Sequence, residues 1–273
     1  MTIKFEEEHL DQAMLAISER LTDAVEAYLI GGLAMIKHKT KGVTKDVDIV
    51  FLNAEMAKLF VDAAYATGFH SQTDLSEEYL DLKAMTVLVK DDGTRIDIFV
   101  DRICGKLTYS EQMARRARML RYGDNLRIFV SSKEDIFLFK AITSRPADLE
   151  DMATLALTDV DWKIIETEAR QQPDAWLWIA KMYGRLLELK DEYQIESPLV
   201  KELKDEWEIS QAMGILLGAI EKSPITFREA KDILQEPDDG FVNDVLETIV
   251  KRGLVRRESE KYRAVYIKYI QTQ

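Results

Sequence analysis

Ile30-Gly31-Gly32, then thirteen residues, then Asp46-Val47-Asp48-Ile49: this stretch decides the fold. Tyr28-Leu29-Ile30 is an apolar run closed by two glycines, which reads as a strand ending in a tight turn, with a short helix to follow over Leu33 to Lys37. Residues 46–52 read as a second strand. On a strand, residues i and i+2 share a face, so Asp46 and Asp48 point one way while Val47 and Ile49 point into a core. Two acids held together repel unless a cation sits between them. Paired oxygen donors of this kind suit Mg²⁺ (or Mn²⁺), which often bridges to substrate phosphates. The Gly31-Gly32 turn carries no side chains, so a triphosphate could approach its backbone. The helix after it would add free N–H groups and the positive end of its dipole.

Working outward, Lys37, Lys39, Lys41 and Lys45 form a basic loop before the acids. A helix is expected over 53–67. Strands over 83–90 and 94–100 flank Asp91-Asp92-Gly93, a hairpin turn. In the second of these, Arg95-Ile96-Asp97-Ile98-Phe99-Val100, Asp97 lies mid-strand with Ile96 and Ile98 on the other face. An acid within so apolar a strand is costly unless paired or metal-bound. If this strand neighbours 46–52, Asp97 completes a cluster of three carboxylates able to hold two metal ions. One ion would activate an acceptor hydroxyl. The other would hold the β- and γ-phosphates of a nucleotide while the α-phosphorus is attacked and pyrophosphate leaves.

Upstream, residues 7–26 have helical spacing through Leu10, Met14, Ile17 and Leu21. Downstream, 109–117 reads as helix, 118–130 as two short strands about Tyr122-Gly123-Asp124-Asn125, and 132–143 and 145–157 as helices, the second opened by Ser144 with Pro146 in its first turn. Strand signals then stop. Helices are expected over 161–171, 174–193 and 198–222. A helix over 227–235, a turn at Glu236–Gly240, a helix over 241–252 and an alternating hairpin over 254–269 complete the chain. The expected fold is α+β: a mixed sheet covered by helices over 1–159, an all-helical region over 160–222, and a small domain over 223–273 whose helix-turn-helix-hairpin pattern resembles a winged helix.

These residues resemble the DNA polymerase β-like nucleotidyltransferase superfamily. The resemblance rests on Ile30-Gly31-Gly32-x13-Asp46-Val47-Asp48-Ile49, with Asp97 in a later strand. The chain is similar to the minimal and abortive-infection-type members, over roughly residues 20–157. Lys140 and Arg145-Pro146-Ala147-Asp148-Leu149-Glu150-Asp151 resemble the family's Lys…Arg-x-x-Asp-x-x-Asp region. The resemblance implies metal on Asp46, Asp48 and Asp97, phosphate on Gly31 and Gly32, and Lys140 and Asp148 lining the site. Two departures stand out. Gly32 replaces a common Ser, and the loop before Asp46 lacks a common Arg, for which Lys41 or Lys45 would substitute as a point charge.

The expected activity is Mg²⁺-dependent transfer of a nucleoside monophosphate from a nucleoside triphosphate to an acceptor hydroxyl, on an RNA 3′ end or a protein side chain. The alternative is a nucleic-acid-binding or regulatory protein built on an inactive or sensing form of the fold. The rest of the composition narrows the class. The 273 residues are 47% hydrophobic and 32% charged, which supports a sizeable core. No apolar run reaches the roughly 18 residues of a membrane span, the N-terminus lacks a signal core, and the expectation is a cytoplasmic protein without membrane contact. One cysteine, Cys104, and three scattered histidines exclude an internal disulfide and a thiolate zinc site. Cys104, His38 and His70 read as packing or surface residues, and Trp162, Trp176, Trp178 and Trp207 as packing anchors. Arg115, Arg116, Arg118 and Arg121 read as a solvated basic face. A net charge of −12 argues against a coat of nucleic acid but leaves room for local contact through Arg256, Arg257, Lys261 and Arg263.

Overall fold

The structure, a computed structural model, describes residues 7–74 and 83–265. They fall into two compact units, Met1–Leu199 and Val200–Gln273. The boundaries expected after 159 and 222 lie within these units.

In the first unit the order is α1 (Glu7–Ser18), β1 (Val25–Ile30), α2 (Gly31–Lys37), β2 (Val47–Phe51), α3 (Ala54–Tyr65), β3 (His70–Ser71), β4 (Thr86–Val89), β5 (Arg95–Val100), β6 (Arg102–Ile103), β7 (Leu107–Thr108), α4 (Glu111–Arg116), β8 (Arg118–Tyr122), β9 (Leu126–Val130), α5 (Lys133–Ala141), α6 (Pro146–Ala156), α7 (Trp162–Gln171) and α8 (Ala175–Tyr193). The sheet is mixed, in the order β3-β4-β5-β2-β1-β9-β8, with β6 and β7 attached beyond β5. The central strands β1, β2 and β5 are buried almost throughout, as strands covered on both faces must be.

Pairing register shows what covers each face. Antiparallel β1 and β2 place Ile30 opposite Asp48 and Tyr28 opposite Val50. Tyr28 therefore shares the Asp48 face, and there it packs on Tyr109 with ring centroids 4.8 Å apart. Tyr109 in turn packs on Phe139 of α5 at 6.1 Å. Phe51 points the other way and meets Phe60 of α3 at 5.4 Å. The acids thus project on the face that α5 covers, at the end left open where β1 turns into α2.

The structure departs from the expected elements in a few places. The first helix stops at Ser18, and Val25-Glu26-Ala27 join β1, because β9 pairs with them in parallel from Val25 opposite Leu126. Arg145, not Ser144, precedes α6, and its side chain makes no capping bond there. The stretch 198–222 divides into α9 (Leu199–Glu202) and α10 (Lys204–Lys222). Fully buried Leu203 adopts φ −101° and ψ 3° between them.

The second unit contains α10, β10 (Ile225–Thr226), α11 (Phe227–Leu234), α12 (Asp239–Lys251), β11 (Val255–Glu258) and β12 (Lys261–Ala264), with sheet order β10-β12-β11. Thr226 and Glu229 form a reciprocal capping box that starts α11. Val242, Val245, Leu246 and Ile249 form the buried stripe of α12. The end of the expected hairpin, 266–269, lies outside the described residues. Among the described residues no helix is long and apolar enough to cross a membrane.

Candidate active site

Strand register brings the third acid of the sequence pattern to the second. β2 and β5 run parallel with Asp48 directly opposite Asp97. Asp46 lies just before β2, not within it, and its charge acts on both Asp48 and Asp97. Asp97 is 1% exposed, whereas Asp46 and Asp48 are half-buried. The Asp48 carboxylate has no hydrogen-bond or ion-pair partner among the described residues. Burial, followed by the charges of Asp46 and Asp97, pushes its pKa well above the usual carboxylate range, against the pull of Lys140 and Arg145. Asp97 is treated differently. Arg95, two residues earlier on the same face, donates from Nε and Nη2 to its two oxygens at 2.7 and 3.1 Å. Burial still outweighs this fork, and the Asp97 carboxyl is raised to about 6. Arg95 thus occupies both Asp97 oxygens. Among the described residues no three His, Cys, Asp or Glu side chains stand together as a ready metal-binding group.

The glycine turn has a more specific job than access to phosphate. Gly31 has φ +66°, and a β-carbon there would lie 1.9 Å from Oδ2 of Asp48. A β-carbon on Gly32 would lie 2.3 Å from Oγ1 of Thr44, a buried residue whose hydroxyl donates to the Asp46 carbonyl at 3.2 Å. The missing side chains therefore make room for Asp48 and for the threonine that ties down the strand entering Asp46.

Lys140 and Asp148 belong to a neighbouring ion network. Lys140 Nζ lies 2.6 Å from Asp148 and 2.9 Å from Asp151. Arg145 donates to both Asp148 oxygens at 2.7 and 3.3 Å, and Thr143 adds its hydroxyl. Lys41 closes the network, 2.7 Å from Asp151. Burial alone would raise Asp148, but Lys140 and Arg145 hold it below its ordinary range. For Lys140 burial works downward, and Asp148 and Asp151 prevail and raise it. Of the lysine loop, Lys41 is thus committed to an internal pair, while Lys45 is exposed.

Residues 8–194 match the family described as "Nucleotidyltransferase of unknown function (DUF6036)". The chain belongs to this family. No curated protein matches the sequence. A similar crystal structure is that of an H. pylori protein described as a candidate nucleotidyltransferase. It is 13% identical, spans 90% of this chain and 97% of its own, and superposes with a TM-score of 0.34.

Several side chains around these carboxylates were not legible in the sequence. Arg95 could have been found, since i and i+2 on a strand share a face. Thr44 gave no such signal. The basic run after residue 114 is only partly solvated. Arg116 donates to Asp135 at 2.6 Å and Glu168 at 2.7 Å, both buried, whereas Arg115 and Arg121 make surface contacts. His38 is anchored to the Ser131 carbonyl at 2.7 Å. Cys104 is buried, and burial raises its thiol to about 11, as befits a packed side chain.

Proposed function

We propose that the chain is a metal-dependent nucleotidyltransferase. It moves a nucleoside monophosphate from a nucleoside triphosphate to an acceptor hydroxyl on an RNA 3′ end or a protein side chain. The observation that carries the reading is the in-register pair Asp48 and Asp97, with Asp46 just before β2 and near enough for its charge to act on both. A fold gains nothing by crowding carboxylates whose charged forms are disfavoured by burial and by each other. A function that needs concentrated oxygen donors explains the arrangement.

The donor set is hard and all-oxygen, and Asp48 has no hydrogen-bond or ion-pair partner among the described residues, which fits Mg²⁺ or Mn²⁺. Asp46 and Asp48 would hold the ion, with Asp97 joining when Arg95 yields an oxygen. Bound there, an ion would neutralise phosphate charge and acidify the acceptor hydroxyl. In the reaction the acceptor hydroxyl loses its proton to solvent, its oxygen bonds to the α-phosphorus, the bond from the α-phosphorus to the bridging β-phosphate oxygen breaks, and pyrophosphate leaves. Arg95 orients Asp97 through its two-pronged contact. Gly31 keeps the space in which Asp48 sits.

The same Arg95 fork favours a second reading, a nucleotide sensor in which Asp97 stays locked. Incubation with each labelled nucleoside triphosphate, Mg²⁺ or Mn²⁺, and total RNA or cell protein separates the two. Transfer of label that is lost in Asp48→Asn and Asp97→Asn supports the enzyme. Nucleotide-induced stabilisation with no transfer to any acceptor supports the sensor.

A further inference from the structure

A cavity of about 1010 Å³ opens at the far end of α2, between α1, the loop after α2 and the turn after β8. Leu15 of α1 and Val43 of the loop line it and stay 45% and 37% exposed, although both are aliphatic. Tyr122 of β8 adds an aromatic ring. The helix α2 ties this cavity to the acids. Its first residue, Gly31, sits against Asp48, and Ile36 lines the cavity about 7.5 Å further along the helix axis. The loop that forms one wall then runs through Thr44 into Asp46.

The charges of the lining are unevenly committed. Asp11 accepts from Lys37 Nζ at 2.6 and 2.8 Å and from the Tyr122 hydroxyl, so this acid is already neutralised. Lys39 is exposed and meets no carboxylate among the described residues. Arg121 reaches the Gly123 carbonyl at 3.0 Å and exposed Asp124 at 3.5 Å. Lys39 is also kept at a cost. Its N–H donates to the Ile36 carbonyl at 2.8 Å and the Thr40 N–H to the Met35 carbonyl at 3.0 Å, which closes α2 with Lys39 at φ +60°. Helices prefer glycine at this left-handed position, and another L-residue there costs about 1–2 kcal/mol. A cation wanted in the cavity accounts for the lysine.

We propose that the cavity seats a nucleotide of an acceptor RNA, upstream of the 3′ end whose hydroxyl reaches the carboxylates. Leu15, Val43 and Tyr122 receive the base, and Lys39 and Arg121 the backbone phosphate. An uncharged peptide would leave both cations without a partner, which favours an RNA end over a protein hydroxyl. This rests on the nucleotide-transfer reading above and leaves the triphosphate where the family resemblance puts it, at Gly31 and Gly32.

The test is fluorescence anisotropy of the full chain with Mg²⁺ against 5′-labelled oligoribonucleotides of about 12 residues, homopolymers and a mixed-sequence pool, across a salt series. Calorimetric titration with a nucleoside triphosphate runs beside it. Lys39→Gly suits the backbone and removes only the cation. It weakens RNA binding by about 5-fold or more and lowers the slope of log affinity against log salt by about 0.7, the value for one phosphate on a single strand. Arg121→Gln does the same, and Lys39→Arg retains affinity. In the transfer assay both losses raise the KM for RNA far more than they lower kcat, while triphosphate affinity holds. Lys58→Gln, exposed on α3 over the opposite face, is the control. If the wild type binds triphosphate and RNA and these variants keep its affinity and slope, the cavity is not the acceptor subsite, while the transferase reading stands. Label transferred to protein by a wild type that binds no RNA has the same meaning. A free nucleoside monophosphate that binds through Lys39 and Arg121 without displacing RNA makes the cavity an effector site and overturns the proposal. If the wild type binds no nucleoside triphosphate, the transferase reading falls and the acceptor role with it.

Discussion

Gly31 and Asp48 occupy space that only one of them could fill: a β-carbon on residue 31 would lie 1.9 Å from the carboxylate of residue 48. The thirteen residues between the glycines and the first acid are thus closed by direct contact, not merely by sequence spacing. The glycine places the acid, and the acid explains the glycine.

Gly31→Ala tests this link. The alanine must adopt φ +66°, which costs an L-residue about 1–2 kcal/mol, and its methyl displaces Asp48. We expect destabilisation of about 2–4 kcal/mol in a denaturant titration and a loss of transfer of roughly 100-fold or more, since small displacements of reacting groups cost that much. Gly42→Ala, whose β-carbon meets nothing within 4 Å, is the control. Equal behaviour of the two variants would sink the argument.

Gly32 and Thr44 form a second such pair, with 2.3 Å between the imagined β-carbon and Oγ1. Gly32→Ala should destabilise the wild type by about 1–3 kcal/mol, as overpacking does, and less so in a Thr44→Ala background. A double-mutant cycle of unfolding free energies reads the difference. A coupling of zero would mean that Thr44 simply moves aside.

Asp48→Asn should make the metal-free protein more stable at neutral pH while abolishing transfer. The folded state raises the pKa of both Asp48 and Asp97, the latter to about 6 from 3.8. A raised carboxyl pKa favours the fold when protonated. That contribution is complete below the unfolded value and is lost as pH rises through the folded one. For the Asp97 shift alone it amounts to roughly 3 kcal/mol. The melting temperature of Asp48→Asn should therefore exceed that of the wild type at pH 7–8 and converge with it towards pH 4. Mg²⁺ with a nucleoside triphosphate should stabilise the wild type together more than either alone, and this synergy should vanish in the variant. A gap that widens on acidification would contradict the assigned cost.

How much of this was legible in advance depended on the range of the contact. The alternation Asp46-Val47-Asp48-Ile49 and Ile96-Asp97-Ile98 shows on its face which side chains share a surface, and register then makes Asp48 and Asp97 neighbours. The start of β1 was not legible, because Val25 continues the helical spacing of Leu10 to Leu21 and only pairing with Leu126 overrides it. Arg116 looked like part of a solvated basic face. Its partners, Asp135 and Glu168, lie 19 and 52 residues away, where no local pattern reaches. Lys140 and Asp148 were read as lining the site, but periodicity cannot say whether two charges face a ligand or each other.

That distinction is open to measurement. Lys140→Met removes the cation shared by Asp148 and Asp151 and leaves their buried charges to Arg145 and Lys41. Breaking a buried ion pair from one side costs about 3–5 kcal/mol. We expect Lys140→Met to melt well below the wild type with or without nucleotide. Removing Asp148 and Asp151 as well, as Asn residues, should restore much of the loss. A Lys140→Met protein of wild-type stability that loses only nucleotide affinity would instead make Lys140 a direct ligand.

The basic hairpin of the second unit is partly neutralised from within. Glu258 forms an ion pair with Arg256, whose Nε lies 2.8 Å away, and accepts from Arg263 Nε at 3.0 Å, and Arg257 lies over the Tyr262 ring at 5.7 Å. Of the four cations considered for nucleic acid, two thus share one carboxylate. Exposed pairs of this kind add at most about 1 kcal/mol, so Glu258→Gln should leave the fold intact. Each phosphate contact adds about 0.9 to the slope of log affinity against log salt on duplex DNA. If the hairpin touches phosphates, freeing Arg256 and Arg263 should tighten binding to a labelled duplex at low salt and steepen that slope by up to about 2. Fluorescence anisotropy across a salt series reads both quantities. Wild-type binding that is already tight and steep, and unchanged by Glu258→Gln, would show that Glu258 does not restrain these arginines. Absence of binding by both proteins would remove the hairpin from any nucleic-acid contact and leave acceptor recognition to the first unit.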